Sequence, residues 1–213
     1  MKSILVIDDH DIVRYGLEML LNECPGLAVV GTASTLGEGL NLLARLKPDL
    51  VVTDIGMPDS QGLDTVRQIV AAQGHARTLV VSMQDEMLYG EQVLALGAAG
   101  YLMKENAHAA VVPAALAVLA GETWVSPRLG AKLIRKSTRG AGRAAVGRGE
   151  PAAGLTLREL EIMEMLKTGK TTKEMATALD LSVRTVDIHR ANIKRKLGLR
   201  TGAELIAFAS NRL

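Results

Sequence analysis

The chain has 213 residues, 48% of them apolar but only 2% aromatic, enough for one or two cores filled by aliphatic and Met side chains. Its single cysteine excludes a disulfide framework, and neither a leader segment nor an apolar run of membrane-spanning length is seen, so a cytoplasmic protein with no membrane partner is expected. The net charge of +2 conceals an asymmetry, with 7 Lys and Arg against 15 Asp and Glu in residues 1–125 and 18 against 8 in residues 126–213, which predicts two modules, the second facing a polyanion.

In chain order, Ile4-Leu5-Val6-Ile7 reads as a buried strand ending in Asp8-Asp9-His10-Asp11. A helix is predicted over about 12–23, a strand over Ala28–Ala33, and a helix from Thr35 to Leu46. The third strand, Leu50–Thr53, runs straight into Asp54-Ile55-Gly56-Met57-Pro58, where Gly and Pro stop it. Three more elements alternate: a helix over about 62–72, the strand Thr78–Ser82 and a helix over about 85–96. The short strand Ala99–Lys104 and a helix over 107–120 follow. Pro113 inside this last helix predicts either a late start near Val112 or a kink.

Five strand-then-helix repeats imply an α/β fold, a flavodoxin-like (βα)5 domain with strand order 2-1-3-4-5. Its switch point lies between strands one and three, so Asp8 and Asp9 should meet Asp54 at the carboxyl edge of the sheet, with Ser82 and Lys104 flanking them. Carboxylates that close repel unless a cation joins them, and an oxygen donor set suits Mg²⁺. Asp9, Asp54 and the Gly56 carbonyl oxygen are the expected direct ligands, with Asp8 acting mainly through water. A carboxylate so screened can attack a phosphoryl group in line, with Lys104 neutralising phosphoryl oxygens and Ser82 donating a hydrogen bond to one of them. His10, His75 and His108 read as surface residues, and Met83, Met87 and Met103 as core or interface filler.

Beyond this domain, assigned to residues 1–122, a linker over 123–154 opens with Ser126-Pro127, a helix start good to about Lys136. The Gly- and Arg-rich stretch from Ser137 to Pro151 reads as a flexible tether. Residues 155–213 form a small all-α domain. Thr156 and Glu159 make a capping box, Thr171 or Thr172 caps a second helix, and the turn Asp180-Leu181-Ser182 leads to a third over about 183–197, a helix-turn-helix. A last helix is expected over about 201–210.

Asp8-Asp9, Asp54 with Pro58 after it, Ser82 and Tyr101-Leu102-Met103-Lys104 resemble the receiver domain of two-component response regulators. The back domain's Leu155-Thr156-Leu157-Arg158-Glu159, Thr172–Ala176, Thr185-Val186, His189 and Lys196–Leu199 resemble the LuxR-type helix-turn-helix, and the whole chain looks like a regulator of the NarL/FixJ type. The resemblance implies that Asp54 accepts phosphate from a sensor histidine kinase, and that Ser82 and Tyr101 couple it to the face of helix four, strand five and helix five. It further implies homodimers on phosphorylation, binding to double-stranded DNA and RNA polymerase as a further partner, with at most self-dephosphorylation as chemistry. Lys173, Arg184, Arg190, Lys194, Arg195 and Arg200 are expected to reach DNA phosphates. Thr185 bonds the DNA backbone or caps its own helix, and His189 packs. Asp187, Ile188 and Ala191 stand where family members read base edges. Because many relatives carry Lys at two of these positions, the family's usual base preference does not transfer. Two rivals remain: DNA binding independent of phosphate, and a Mg²⁺-dependent aspartyl phosphohydrolase, which lacks the further acidic pair that such an enzyme needs beyond Lys104.

Overall fold

The computed structural model describes residues 1–60, 62–140 and 155–212, with residues 137–140 and 211–212 by backbone alone. Five strands, β1 (Lys2–Ile7), β2 (Leu27–Ala33), β3 (Leu50–Thr53), β4 (Arg77–Ser82) and β5 (Gly100–Met103), alternate with five helices. These are α1 (Asp11–Asn22), α2 (Leu36–Leu46), α3 (Leu63–Ala72), α4 (Glu86–Ala95) and α5 (Ala107–Ala120). All the strand pairs are parallel, and the order is the expected β2-β1-β3-β4-β5.

Alternation along the strands sorts two cores. Ile4, Val6, Leu50, Val52, Leu79 and Val81 meet Leu17 and Leu21 of α1 and Val111, Ala114, Ala115 and Val118 of α5. On the opposite face Leu5, Ile7 and Val51 meet Leu36 and Leu43 of α2 and Ile69 of α3. Side chains buried on both faces are what continuous apolar runs in a parallel sheet demand. Local signals set the helix starts: Thr35 accepts from the Glu38 N–H, and the Asp85 side chain accepts from the Met87 N–H.

The late start near Val112 does not occur, since α5 begins at Ala107. The helix runs from Ala107 to Ala120, with Pro113 in its middle and exposed. Val111, Ala114, Ala115 and Val118 are each fully buried, and this apolar anchoring offsets the backbone hydrogen bond that proline cannot make. Replacing Pro113 by Ala is therefore expected to raise stability, by up to ~3 kcal/mol. Urea unfolding of the two proteins checks this, and an unchanged midpoint would show that the ring contributes packing of its own. Met83, expected as filler, is instead 69% exposed.

The first compact unit extends past α5 to Ala131. After Gly121, in a left-handed conformation, Trp124 adds a parallel bridge to Gly100 at the outer edge of β5. Helix α6 (Pro127–Gly140) then begins, four residues longer than its sequence suggests. The rest of the stretch read as a tether, residues 141–154, lies outside the described residues.

The back domain has four helices among the described residues: α7 (Leu157–Lys167), α8 (Thr172–Ala178), α9 (Val183–Leu197) and α10 (Gly202–Arg212). Leu160, Ile162, Met163 and Leu166 of α7, Met175 and Ala176 of α8, Val186 and Ile193 of α9, and Leu205 and Ala209 of α10 are its buried side chains. Reciprocal capping boxes open α7 (Thr156 with Glu159) and α8 (Thr171 with Glu174). Asp180 takes the left-handed conformation in the turn before α9.

Candidate functional site

Register brings the acidic residues together. Ile7 and Thr53 are paired neighbours at the ends of β1 and β3, and the Asp54 N–H donates to the Ile7 carbonyl at 2.9 Å. Asp8 and Asp54 therefore leave adjacent strands side by side, both almost completely buried. One carboxylate oxygen of Asp54 accepts from the N–H groups of Ile55 (2.6 Å) and Gly56 (3.3 Å). The other lies 2.6 Å from Lys104 Nζ, which also lies 2.7 Å from Asp8 Oδ2. Lys104 begins a single 3-10 turn at the end of β5, and its side chain is 4% exposed, so one ammonium is shared by two buried carboxylates.

Burial pushes the Asp8 carboxyl above the ordinary range, although hydrogen bonds from Lys104 and the His10 N–H pull the other way. For Lys104, burial favours the neutral amine, but attraction to and hydrogen bonds with Asp54 and Asp8 outweigh it and raise its pKa. Asp8, Asp9, His10 and Asp54 each offer a ligand atom, all within 4.8 Å of one another. Three carboxylates against one ammonium leave surplus negative charge, and a predominantly oxygen donor set with that surplus fits a hard divalent cation such as Mg²⁺. His10, read from the sequence as a surface residue, keeps its ring exposed but places Nδ1 2.7 Å from Asp9 Oδ1. Gly56 adjoins the cluster through its N–H.

A second set of contacts lies on the β4 side. Ser82 is buried and its Oγ accepts from the Gln84 N–H at 3.3 Å. Tyr101 points inward, 1% exposed, and its hydroxyl donates to the Gln84 carbonyl at 2.8 Å. Burial raises its pKa well above the usual value, so the phenol is a neutral donor. Gln84 thus joins Ser82 to Tyr101, and nothing in the sequence singles it out.

On α9, Arg184, Asp187, Ile188, Ala191 and Arg195 are exposed and recur at spacings of three and four, one face of the helix. Ile188 is 54% and Val183 43% exposed, and Val183 is a position that the sequence pattern does not single out. Lys173 on α8 and Arg200 beyond α9 are exposed, and Lys194 is half-buried. Thr185 joins the cap, with its hydroxyl 2.8 Å from that of Ser182. Arg190, expected at a phosphate, is half-buried, and its guanidinium donates to the Thr172 hydroxyl at 2.6 Å, bracing α9 on α8. Behind the face, Lys196 Nζ lies 2.6 Å from Glu159 Oε2, the carboxylate that also closes the α7 capping box. No described helix is long and apolar enough to cross a membrane.

Residues 4–115 match the response regulator receiver domain and residues 153–209 the bacterial regulatory proteins of the luxR family, and the chain belongs to the NarL/FixJ-type response regulators that join the two. It is a DNA-binding transcription regulator of the phosphorylation-controlled class rather than a conventional enzyme. Among particular relatives, it is 32% identical over 208 residues to the oxygen regulatory protein NreC of Staphylococcus carnosus, covering 97% of this chain and 96% of that one. NreC of Staphylococcus aureus (strain MRSA252) is 33% identical with the same coverage. Among solved structures, RcsB of Salmonella enterica serovar Typhimurium, bound to the promoter rprA with the phosphomimetic BeF3⁻, superposes with a TM-score of 0.74 at 24% identity, over 99% of this chain and 100% of that one. A LuxR-family two-component regulator from Aurantimonas sp. SI85-9A1 gives 0.59 at 33% identity, over 65% and 99% of the two chains.

Proposed function

We propose that Asp54 is the phosphoacceptor and that a sensor histidine kinase is the donor. A carboxylate oxygen of Asp54 attacks the phosphorus in line, the bond from phosphorus to the kinase imidazole nitrogen breaks, and an acyl phosphate forms on Asp54. Asp9 and Asp54, the Gly56 carbonyl oxygen and, through water, Asp8 would hold Mg²⁺, which when bound neutralises phosphoryl charge. Lys104 leaves its bridge to pair with a phosphoryl oxygen, and Ser82 donates to another. The observation that carries this reading is the Lys104 ammonium shared at 2.6 and 2.7 Å between Asp54 and Asp8, a cation poised at the acceptor oxygen.

In this reading residues 1–122 are the receiver, 123–154 the linker and 155–213 the DNA-binding domain. Phosphorylation favours a homodimer whose α9 helices enter the major groove at half-sites about 10 bp apart. Asp187, Ile188 and Ala191 face base edges, and Lys173, Arg184, Lys194 and Arg195 face phosphates, with Thr185 supporting the cap and Arg190 reaching DNA only if it releases Thr172. The regulator then acts in the cytoplasm, on RNA polymerase at its promoters, and any turnover is loss of its own phosphate. Relatives support the DNA step, since RcsB is bound to a promoter in its structure.

The test is acetyl phosphate with Mg²⁺, the acyl phosphate read by intact mass and operator affinity by titration. The Asp54→Ala protein should gain no phosphoryl mass and show no phosphate-dependent tightening on DNA. Undiminished activation of that variant would refute Asp54 as acceptor.

A further inference from the structure

The receiver's far edge is gripped by the start of its own linker. The Trp124 N–H donates to the Ala99 carbonyl at 3.0 Å, and the Tyr101 N–H donates to the Trp124 carbonyl at 2.9 Å, so Trp124 is stitched to β5. At Gly100 a Cβ would lie 2.9 Å from the Trp124 carbonyl oxygen, too close for any side chain without moving that backbone. Two residues on, the Ser126 hydroxyl donates to Glu86 Oε1 at 2.6 Å while accepting the Leu129 N–H at 3.1 Å. Leu129 is completely buried against Gly90, where an added Cβ would overlap Leu129 Cδ2. A glycine inside a helix such as α4 is destabilising relative to alanine. Here it is the socket that admits Leu129.

The residues leading into α4 touch the phosphoacceptor network. Gln84 bonds both Ser82 and Tyr101, Asp85 caps α4, and Glu86 is its first residue and the partner of Ser126. Three consecutive residues, Gln84 to Glu86, therefore join the groups expected to sense phosphate to the groups that hold the linker.

We propose that residues 124–129 form an intramolecular latch, docked on β5 and α4, whose release is coupled to phosphorylation of Asp54. The proposal rests on Asp54 being the acceptor. When the Ser82 hydroxyl turns to a phosphoryl oxygen, the Gln84 N–H loses its partner and the start of α4 rearranges. Glu86 and the Gly90 socket move with it, and the hold on Ser126 and Leu129 weakens. Coupling is reciprocal, so whatever loosens the latch must tighten the phosphoryl state by the same factor, typically about 5–150-fold.

Trp124 is the sole tryptophan of the chain, so its emission in the full-length protein reports the latch directly. The probe is BeF3⁻ with Mg²⁺, whose binding is followed independently by ¹⁹F NMR. In the native sequence, BeF3⁻ should red-shift Trp124 emission and increase its quenching by acrylamide. Gly90→Leu fills the socket and Leu129→Ser empties it from the other side, and neither touches the acidic cluster. Each should show the shifted emission before BeF3⁻ is added and bind BeF3⁻ about 5–150-fold more tightly, and the double variant should go little further than either single one. Bound BeF3⁻ that leaves Trp124 emission unmoved, or variants with native BeF3⁻ affinity, would overturn the latch while leaving the acceptor in place. Absence of any BeF3⁻ binding would remove the acceptor, and the latch with it.

Discussion

Lys104→Met should destabilise the first unit by about 3–5 kcal/mol in the presence of EDTA, the usual consequence of removing one partner from a buried ion pair. Methionine keeps much of the aliphatic stem, so the loss isolates the charge. Without the ammonium, Asp8 and Asp54 face each other across adjacent strand ends, each nearly buried and with surplus negative charge from Asp9 beside them. Two further signs identify the cause. The deficit should shrink as pH falls, because Asp8, whose pKa burial already raises, takes up a proton and ends the repulsion. Adding Mg²⁺ at a hundred times its Kd should recover about 2.7 kcal/mol. Urea unfolding followed by Trp124 emission, with and without Mg²⁺, measures both. A deficit below about 1 kcal/mol would place the pair with exposed salt bridges, and indifference to Mg²⁺ would show that the cluster does not take the ion.

Lys196→Ala is expected to abolish DNA binding although Lys196 pairs inside the domain. Its ammonium neutralises Glu159, which is 3% exposed and already committed to the Thr156 N–H. Removing it should destabilise the back domain by about 3–5 kcal/mol, and a domain of some 60 residues has little more than that to lose. Burial pushes the Glu159 carboxyl up, but hydrogen bonds from Lys196 and the Thr156 N–H outweigh it and hold the pKa below the usual 4.5. A carboxyl depressed in the folded state contributes stability above its unfolded pKa and loses it as pH falls through the folded value. The native domain should therefore weaken only below about pH 4.5, whereas the variant is weak already at neutral pH. Far-ultraviolet circular dichroism against pH separates the two. Glu159→Gln combined with Lys196→Met should recover much of the fold, since removing both charges leaves none uncompensated. Full helicity of Lys196→Ala at pH 7 with lost DNA affinity would instead make Lys196 a DNA contact.

Much of this was legible in the sequence, and the reason is local. Ile4–Ile7, Leu50–Thr53 and Thr78–Ser82 are continuous apolar runs that can only be strands buried on both faces, and right-handed crossovers then fix the order that joins Asp8 to Asp54. Thr156 with Glu159 announces a helix start four residues at a time. What stayed hidden depends on packing between distant residues. Leu129 reads as one apolar position of a helix, and Gly90 as an ordinary helical glycine, because their meeting is a contact between residues far apart in sequence. Gln84 was invisible because it acts chiefly through its backbone carbonyl and N–H. The charge of Arg190 suggests a phosphate contact, and its hydrogen bond to Thr172 depends on the packing of α8 on α9, which no local signal encodes. The late start that Pro113 suggests fails for the opposite reason. The local penalty of the proline is real, but four buried neighbours hold the helix together across it.

The bridge at Trp124 bears on how this protein can be cut. Exposed outer strands invite pairing with other chains, and sheets generally defend them by shortness, charge or cover. Here β5 is shielded by the residues that follow α5, which saturate the carbonyl of Ala99 and the N–H of Tyr101. A fragment ending at Glu122 would strip that shield and should self-associate at concentrations where one ending at Ala131 stays monomeric, a difference that light scattering would register.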